Sequence, residues 1–527
     1  MKLFKLKYTG VVLFACLLFT NCKREKSYWD DDFIAPIAHG GLSLANLFPD
    51  TVIKSNTDSS LKISFEATLV NYGLDSMIKI RDTALTNSYI IGFTLPITPN
   101  YTLITGVPGE TYYDLKGIQL KKASIRSGKV KVTLKNTCAQ PLVYDYILNS
   151  ASKNNIILHT SLTVNGNSTG IYYIDLAGYD IDFTGTNHNV FNTIEQTSQV
   201  SVAPNAQPDV IQPGQGITAI DSFLHIIPQY ALGYFGSQSV AVGPDVASFN
   251  IFNNIKSGML NLNSANMQIK IVNEFGIDMR ASINTITSIS TANQNTVTLN
   301  SSQLNAPLNI NGAVNNGPNN PVTASSRTIT LNNTNSNILN FIGNLPDKLG
   351  YKLTAQVNPN GNQSGGNDFG YYGTAFKAYL DADIPLYFSA SNLVLADTVP
   401  LNFSSINQIK NINHGQLTLT AMNGYPFAIN LQGYLLDENK MPIDLLFSNP
   451  NSIVAPALDA NLKVIAPQQS KLYIPLTVDK INSLKRAKYI YYTATFNTTS
   501  QPNQVKFYNW YNLDILLTAD INYSIGK

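Results

Sequence analysis

At 527 residues the chain is too long for one ordinary hydrophobic core, and a composition 44% hydrophobic with 13% charged residues excludes a disordered polyelectrolyte. The formal charge is +2; with Lys2, Lys5 and Lys7 set aside as part of a removable leader, 32 basic residues face 33 acidic ones, which leaves no electrostatic footprint for nucleic acid. Asn, Thr and Ser take the place of charge, and 28 Tyr and 23 Phe beside many Val and Ile residues predict strands rather than solvent-facing helices.

The N-terminus carries a basic stretch (Lys2, Lys5, Lys7) followed by an apolar run of eleven residues, Thr9 to Phe19. A bilayer span needs about 20 residues, so this run suits a secretory leader instead. It ends in Phe19-Thr20-Asn21-Cys22, which resembles a bacterial lipoprotein signal with Cys22 as the acylated residue. That resemblance implies a leader over residues 1–21, a lipid on Cys22 and a polar tether over residues 22–34. Of the remaining cysteines, Cys16 lies in the leader and Cys138 stands alone, so no intramolecular disulfide is available to the body.

After the tether, three markers recur in the same order. The first is an alternating strand closing on Asp: Leu42 to Asp50, Ser239 to Asp245, and Asn392 to Asp397. The second is a Gly, an alternating strand and an Asn-led turn. It runs from Gly128 to Asn136 and from Gly415 to Asn423, eight positions each, and from Gly258 to Asn273 with seven extra residues. Apolar residues at every second position bury one face of each strand, and the Asn suits a tight turn. The third marker closes each set at Val200–Asn205, Leu345–Asn358 and Leu484–Asn497.

This order predicts an all-β protein of three tandem antiparallel β-sandwich modules with long Asn/Gly/Ser-rich loops. The boundaries fall at 35–225 (with an insertion at about 55–115 that includes strands near Leu61–Val70 and Tyr89–Leu95), 226–380 and 381–527. One helix is expected, Val478–Ala487, where Ile481 and Leu484 share a face. Thr291–Ser325 and Asn358–Asn367 read as loops, and Leu513 to Ile525 as a last strand.

No catalytic motif emerges. His39, His159, His188, His225 and His414 are isolated, no CxxC pair exists, and no phosphate loop or nucleophile elbow is present, so the sequence predicts no metal, no cofactor and no enzymatic activity. Asp180 and Asp182 share a strand face about 7 Å apart, and Asp30-Asp31-Asp32 lacks the spaced oxygens of a calcium loop; both read as solvated acids. The aromatic runs Gly370-Tyr371-Tyr372-Gly373, Tyr491-Tyr492 and Phe507-Tyr508-Asn509-Trp510-Tyr511 offer sugar-stacking platforms as one reading, but core and rim of a sandwich is the reading favoured, because adjacent aromatics on a strand point to opposite faces.

With Cys22 and the Asn turns together, the chain resembles an outer-membrane lipoprotein of the Bacteroidota. The turn at Asn136, Asn273 and Asn423 is similar to that of the small sandwich of late-embryogenesis-abundant type 2 proteins, though Thr137, Glu274 and Gly424 stand where that family carries Pro. The resemblance implies a sandwich fold and no site residue beyond Cys22. The resulting expectation is a non-enzymatic binding or scaffold lipoprotein of the outer membrane, tied to the bilayer by its lipid and facing another envelope protein or a glycan. The alternatives are a surface glycan-binding lipoprotein of a polysaccharide-uptake system and a lipid-carrying periplasmic protein.

Overall fold

In the computed structural model the described residues are 29–46, 48–252, 254–317, 322–402, 412–498 and 504–525. Cys22, its leader and most of the expected tether lie outside them. All named sheets pair their strands antiparallel, and helices are short. The helix expected over Val478–Ala487 is Val478–Arg486, capped by the Thr477 hydroxyl on the Lys480 amide.

The three Asn turns organise the pairing. The Asn136 strand (Gln119–Asn136) lies between Ser168–Asp175 and Gly216–Tyr234, and Gly216–Tyr234 pairs onward with Thr83–Ile90. Leaving the turn, Leu142–Lys153 lies between Ile156–Val164 and Thr193–Val202, and Thr193–Val202 pairs onward with Thr102–Tyr112. The short strand Asp180–Asp182 pairs with both central strands, joining the two layers into one curled sheet.

The same order surrounds the other two turns. The Asn273 strand (Asn266–Asn273) lies between Ser325–Asn332 and Ala375–Pro385, with Leu61–Gly73 beyond. Its partner layer runs Gln238–Ser248, Lys348–Val357, Met279–Ser290 and Asn295–Thr298. The Asn423 strand (Ile412–Asn423) lies between Gln468–Pro475 and Asn512–Ile525, with Trp29–Ser43 beyond. Its partner layer runs Leu393–Pro400, Tyr489–Phe496, Ile429–Leu436 and Pro442–Leu445.

These sets are nested in the chain. Most strands of the Asn136 set fall between Thr83 and Tyr234, with Asp368–Tyr371 added on the far side of Gly216–Tyr234, whereas the Asn273 set takes its outer strand from Leu61–Gly73 and the Asn423 set from Trp29–Ser43. Residues 29–34, at the end of the expected tether, are strand, and that strand closes onto Asn512–Ile525. An outer strand satisfies its backbone groups wherever a sheet edge stays open, and alternation alone does not say which edge.

By density of contacts the chain divides into two compact units. One holds residues 29–62, 251–263 and 386–525; the other holds residues 63–250 and 264–385. The second Gly-led repeat is divided accordingly. Gly258 and Met259–Leu262 belong to the first unit, where Met259–Leu262 pairs with Tyr387–Ser391, while the Asn273 strand belongs to the second. Eight positions before Asn273 stands Ala265, fully buried, so Gly258 is no counterpart of Gly128 and Gly415.

Each Asn is a lock between backbone segments. Asn136 Oδ1 accepts the Cys138 amide at 2.8 Å, and its Nδ2 donates to the carbonyls of Gln140 and Asn165 at 2.9 and 3.1 Å. Asn273 accepts from Phe275 and donates to Ile277 and Asn311 at 3.1, 2.7 and 3.0 Å. Asn423 accepts from Tyr425 and donates to Phe427 and Val454 at 2.9, 2.8 and 3.0 Å. All three side chains are buried, and each following strand starts six residues after its Asn, at Leu142, Met279 and Ile429. A carboxamide is suited to this task because it carries an acceptor and two donors on one short plane.

Candidate functional site

The residues weighed from sequence are mostly absorbed by the framework. Asp180 is held by Lys122 at 2.9 Å and by the Ser124 hydroxyl. Partial burial works to raise its pKa, but these donors outweigh it and hold the carboxyl below its ordinary value. Asp182 instead meets Thr184 and His188, so the two acids are separately engaged. His39 pairs with Asp514 at 2.9 Å and His159 with Asp145 at 3.7 Å, all in strands. The His225 backbone amide donates to the Asp82 carboxylate at 2.7 Å, and His414 lines a shallow polar cleft with Asp32, Asp520 and Asn522. Among the described residues no cluster of His, Cys, Asp and Glu has the arrangement of a metal site. Cys138 is buried, which pushes its thiol up to about 11.

The aromatic runs divide between core and surface. Tyr492 is core, while Tyr491 leans on Tyr434 at 5.9 Å between centroids. Tyr371 packs on Tyr230 at 4.7 Å and donates its hydroxyl to Asn315, and Tyr372 lies under the Arg126 guanidinium. In the last run Phe507 and Tyr511 turn inward: Phe507 stacks on Phe388 at 4.3 Å, and the Tyr511 hydroxyl accepts the Val464 amide at 3.0 Å.

Tyr508 and Trp510 turn outward. Their rings stack at 4.8 Å with 19° between planes, and Trp510 remains 44% exposed. Tyr508 is fixed by a bridge to Ser60 and by an edge contact with buried Tyr511. Lys463 is delivered to the same place by a turn in which Asp459 Oδ1 accepts the amides of Asn461 and Lys463 at 2.8 and 2.9 Å. Its ammonium lies 4.9 Å from the Tyr508 centroid and 4.6 Å from that of Trp510, a cation–π arrangement. Sequence reading found both aromatics but missed Lys463, which arrives from 45 residues away; the Asp-x-Asn-x-Lys turn at Asp459 was the available signal.

A second polar constellation lies inside the Asn136 set. Asp221 is fully buried between Leu85 and Val132 in its own sheet. Its Oδ2 meets Tyr144 OH and Gln196 Nε2 at 3.4 Å each, and its Oδ1 has no partner. Tyr144 OH shares a 2.7 Å hydrogen bond with the Ser198 hydroxyl, and Tyr146 OH donates to Gln196 at 3.5 Å. Burial drives the Asp221 carboxyl up to about 6, and the bonds from Gln196 and Tyr144 offset only part of that. The sequence signal was an acid at an inward position of Ile217-Thr218-Ala219-Ile220-Asp221-Ser222-Phe223, against the strand's apolar parity.

No protein-family model matches the chain, and no curated protein does. Among solved structures, a Parabacteroides distasonis protein described as secreted aligns with 93% of this chain and 99% of its own, at 10% identity and TM-score 0.27. The Sulfolobus turreted icosahedral virus structure aligns with 84% of this chain and 91% of its own at 11% identity and TM-score 0.12. An infectious bursal disease virus structure covers 90% of this chain and 81% of its own at 8% identity and TM-score 0.13.

Proposed function

We propose that this chain is a non-enzymatic glycan-binding lipoprotein of the cell envelope, held at the outer membrane by lipid on Cys22. One observation carries the glycan reading: Trp510 stacks on half-buried Tyr508 yet stays 44% exposed rather than folding into the core. A pyranose presents a flat face of C–H groups, and an indole beside a phenol offers that face a matching apolar floor. Rigid aromatics also bind at low entropic cost, since few rotamers are lost. The β framework, locked at each Asn turn, supports the platform without requiring it to order on binding.

Affinity electrophoresis of the full chain against a panel of polysaccharides tests the reading. At least one polymer is expected to retard the protein, and Trp510→Ala is expected to abolish that retardation. A panel with no retardation would sink the glycan assignment, while leaving a protein partner for the same surface to be sought by crosslinking in intact cells. The anchor is tested separately: Cys22→Ala should release the protein from membranes and from palmitate labelling.

A further inference from the structure

We infer that the Tyr508–Trp510 platform takes an acidic sugar, a uronate unit of an anionic glycan, with the Lys463 ammonium receiving its carboxylate; this rests on the glycan reading above and narrows its ligand. Besides Lys463, the charged side chains carried by the same turn and strand segments include Asp459, Lys506 and Asp58. These three are already engaged. Asp459 spends an oxygen on two backbone amides of its own turn, and Asp58 accepts from Ser60 while standing 3.9 Å from Lys506. Lys463 alone has no acidic partner among the described residues; its ammonium rests over the two rings.

An ammonium over an aromatic face keeps most of its charge available, because the ring quadrupole is a weaker partner than a carboxylate. A sugar lying against Trp510 would therefore meet an ammonium that no carboxylate pairs directly. A neutral sugar offers that cation only hydroxyl oxygens, whereas a uronate offers a full charge at the ring's edge. A charge-assisted hydrogen bond of this kind exceeds a neutral one enough to give about a tenfold preference.

The test is affinity electrophoresis of the detergent-purified full chain in gels containing polygalacturonate or neutral galactan. Wild type is expected to bind polygalacturonate about tenfold more tightly than galactan. Lys463→Gln is expected to lose that preference while keeping its melting temperature, because Lys463 is a surface side chain. Trp510→Ala is expected to lose both polymers. Equal retardation by the two polymers, or an acidic preference that survives Lys463→Gln, overturns the inference and leaves the glycan reading standing. Polygalacturonate binding that ignores Trp510→Ala overturns it as well, since it marks bulk charge attraction. Absence of retardation by these and by every other polysaccharide removes both.

Discussion

The carboxamide of Asn423 donates to the carbonyl oxygen of Val454 at 3.0 Å, spanning 31 residues of sequence with one side chain. Asn136 and Asn273 make the equivalent reach, to Asn165 and Asn311, over 29 and 38 residues. A local turn residue thus also fixes where a distant loop returns, which couples turn formation to the assembly of each strand set.

Replacing Asn423 by Ala removes a buried side chain that satisfies one amide and two carbonyls. The expected loss is about 2–4 kcal/mol, because the stranded backbone groups keep their desolvation cost. Asn423→Asp should cost at least as much, since a carboxylate faces two carbonyl oxygens with no proton to offer. Urea unfolding of each variant checks this; a loss below about 0.5 kcal/mol, the range of ordinary surface changes, would show that the lock is dispensable.

Asp221 makes stability depend on pH in an unusual direction for an acid. Its folded pKa of about 6 lies above the ordinary value of 3.8, so the folded state holds the proton more tightly than the unfolded state. Its contribution is fully present below about pH 4 and is lost as pH rises through 6, an effect of roughly 2–3 kcal/mol. Asp221→Asn should therefore gain on wild type as pH goes from 4 to 7.5. Paired melting curves at both pH values read this difference; a gap that stays constant with pH would show that Asp221 does not titrate in this window.

At Gly258 a Cβ would stand 2.4 Å from the Asn392 carbonyl oxygen and 2.5 Å from Leu393 Cα, with φ at +109°. Both obstacles are backbone and the conformation is one that L side chains avoid, so Gly258→Ala should destabilise by about 2–4 kcal/mol. Gly128 differs: its nearest obstacle is the flexible tip of Ile226, and Gly128→Ala paired with Ile226→Val should recover part of its loss. Thermal unfolding of the three variants decides whether backbone contact or side-chain contact sets the cost.

Cys138 should behave as an inert core thiol. It is buried and its pKa is pushed up to about 11 by burial, with Asp209 adding to the effect. A thiol reagent at pH 8 is expected to leave it unlabelled in the native protein and to label it once denaturant is added. Mass spectrometry of the peptide carrying Cys138 distinguishes the two; rapid native labelling would mean that the Asn136 turn opens readily.

Much of this architecture was legible in the residues. Alternation in stretches such as Val130 to Leu134 and Leu417 to Ala421 dictates strands with one buried face, and that pattern is local. The Asn turns were legible for the same reason, since Asn136, Asn273 and Asn423 each accept from an amide two residues ahead. The polar helix-like segment at Val478 carried its own cap in Thr477.

Tertiary structure alone decided the pairing of Trp29–Ser43 with Asn512–Ile525, of Leu61–Gly73 with Ala375–Pro385, and hence the nesting of one strand set inside another. It also brought Lys463 onto Tyr508 and Trp510 and sealed Asp221 among Tyr144, Gln196 and Val132. The reason is common to all of these. A strand's pattern states which face is apolar but not which open edge it will join, and a side chain's chemistry depends on neighbours whose sequence distance is set only when the sheets close.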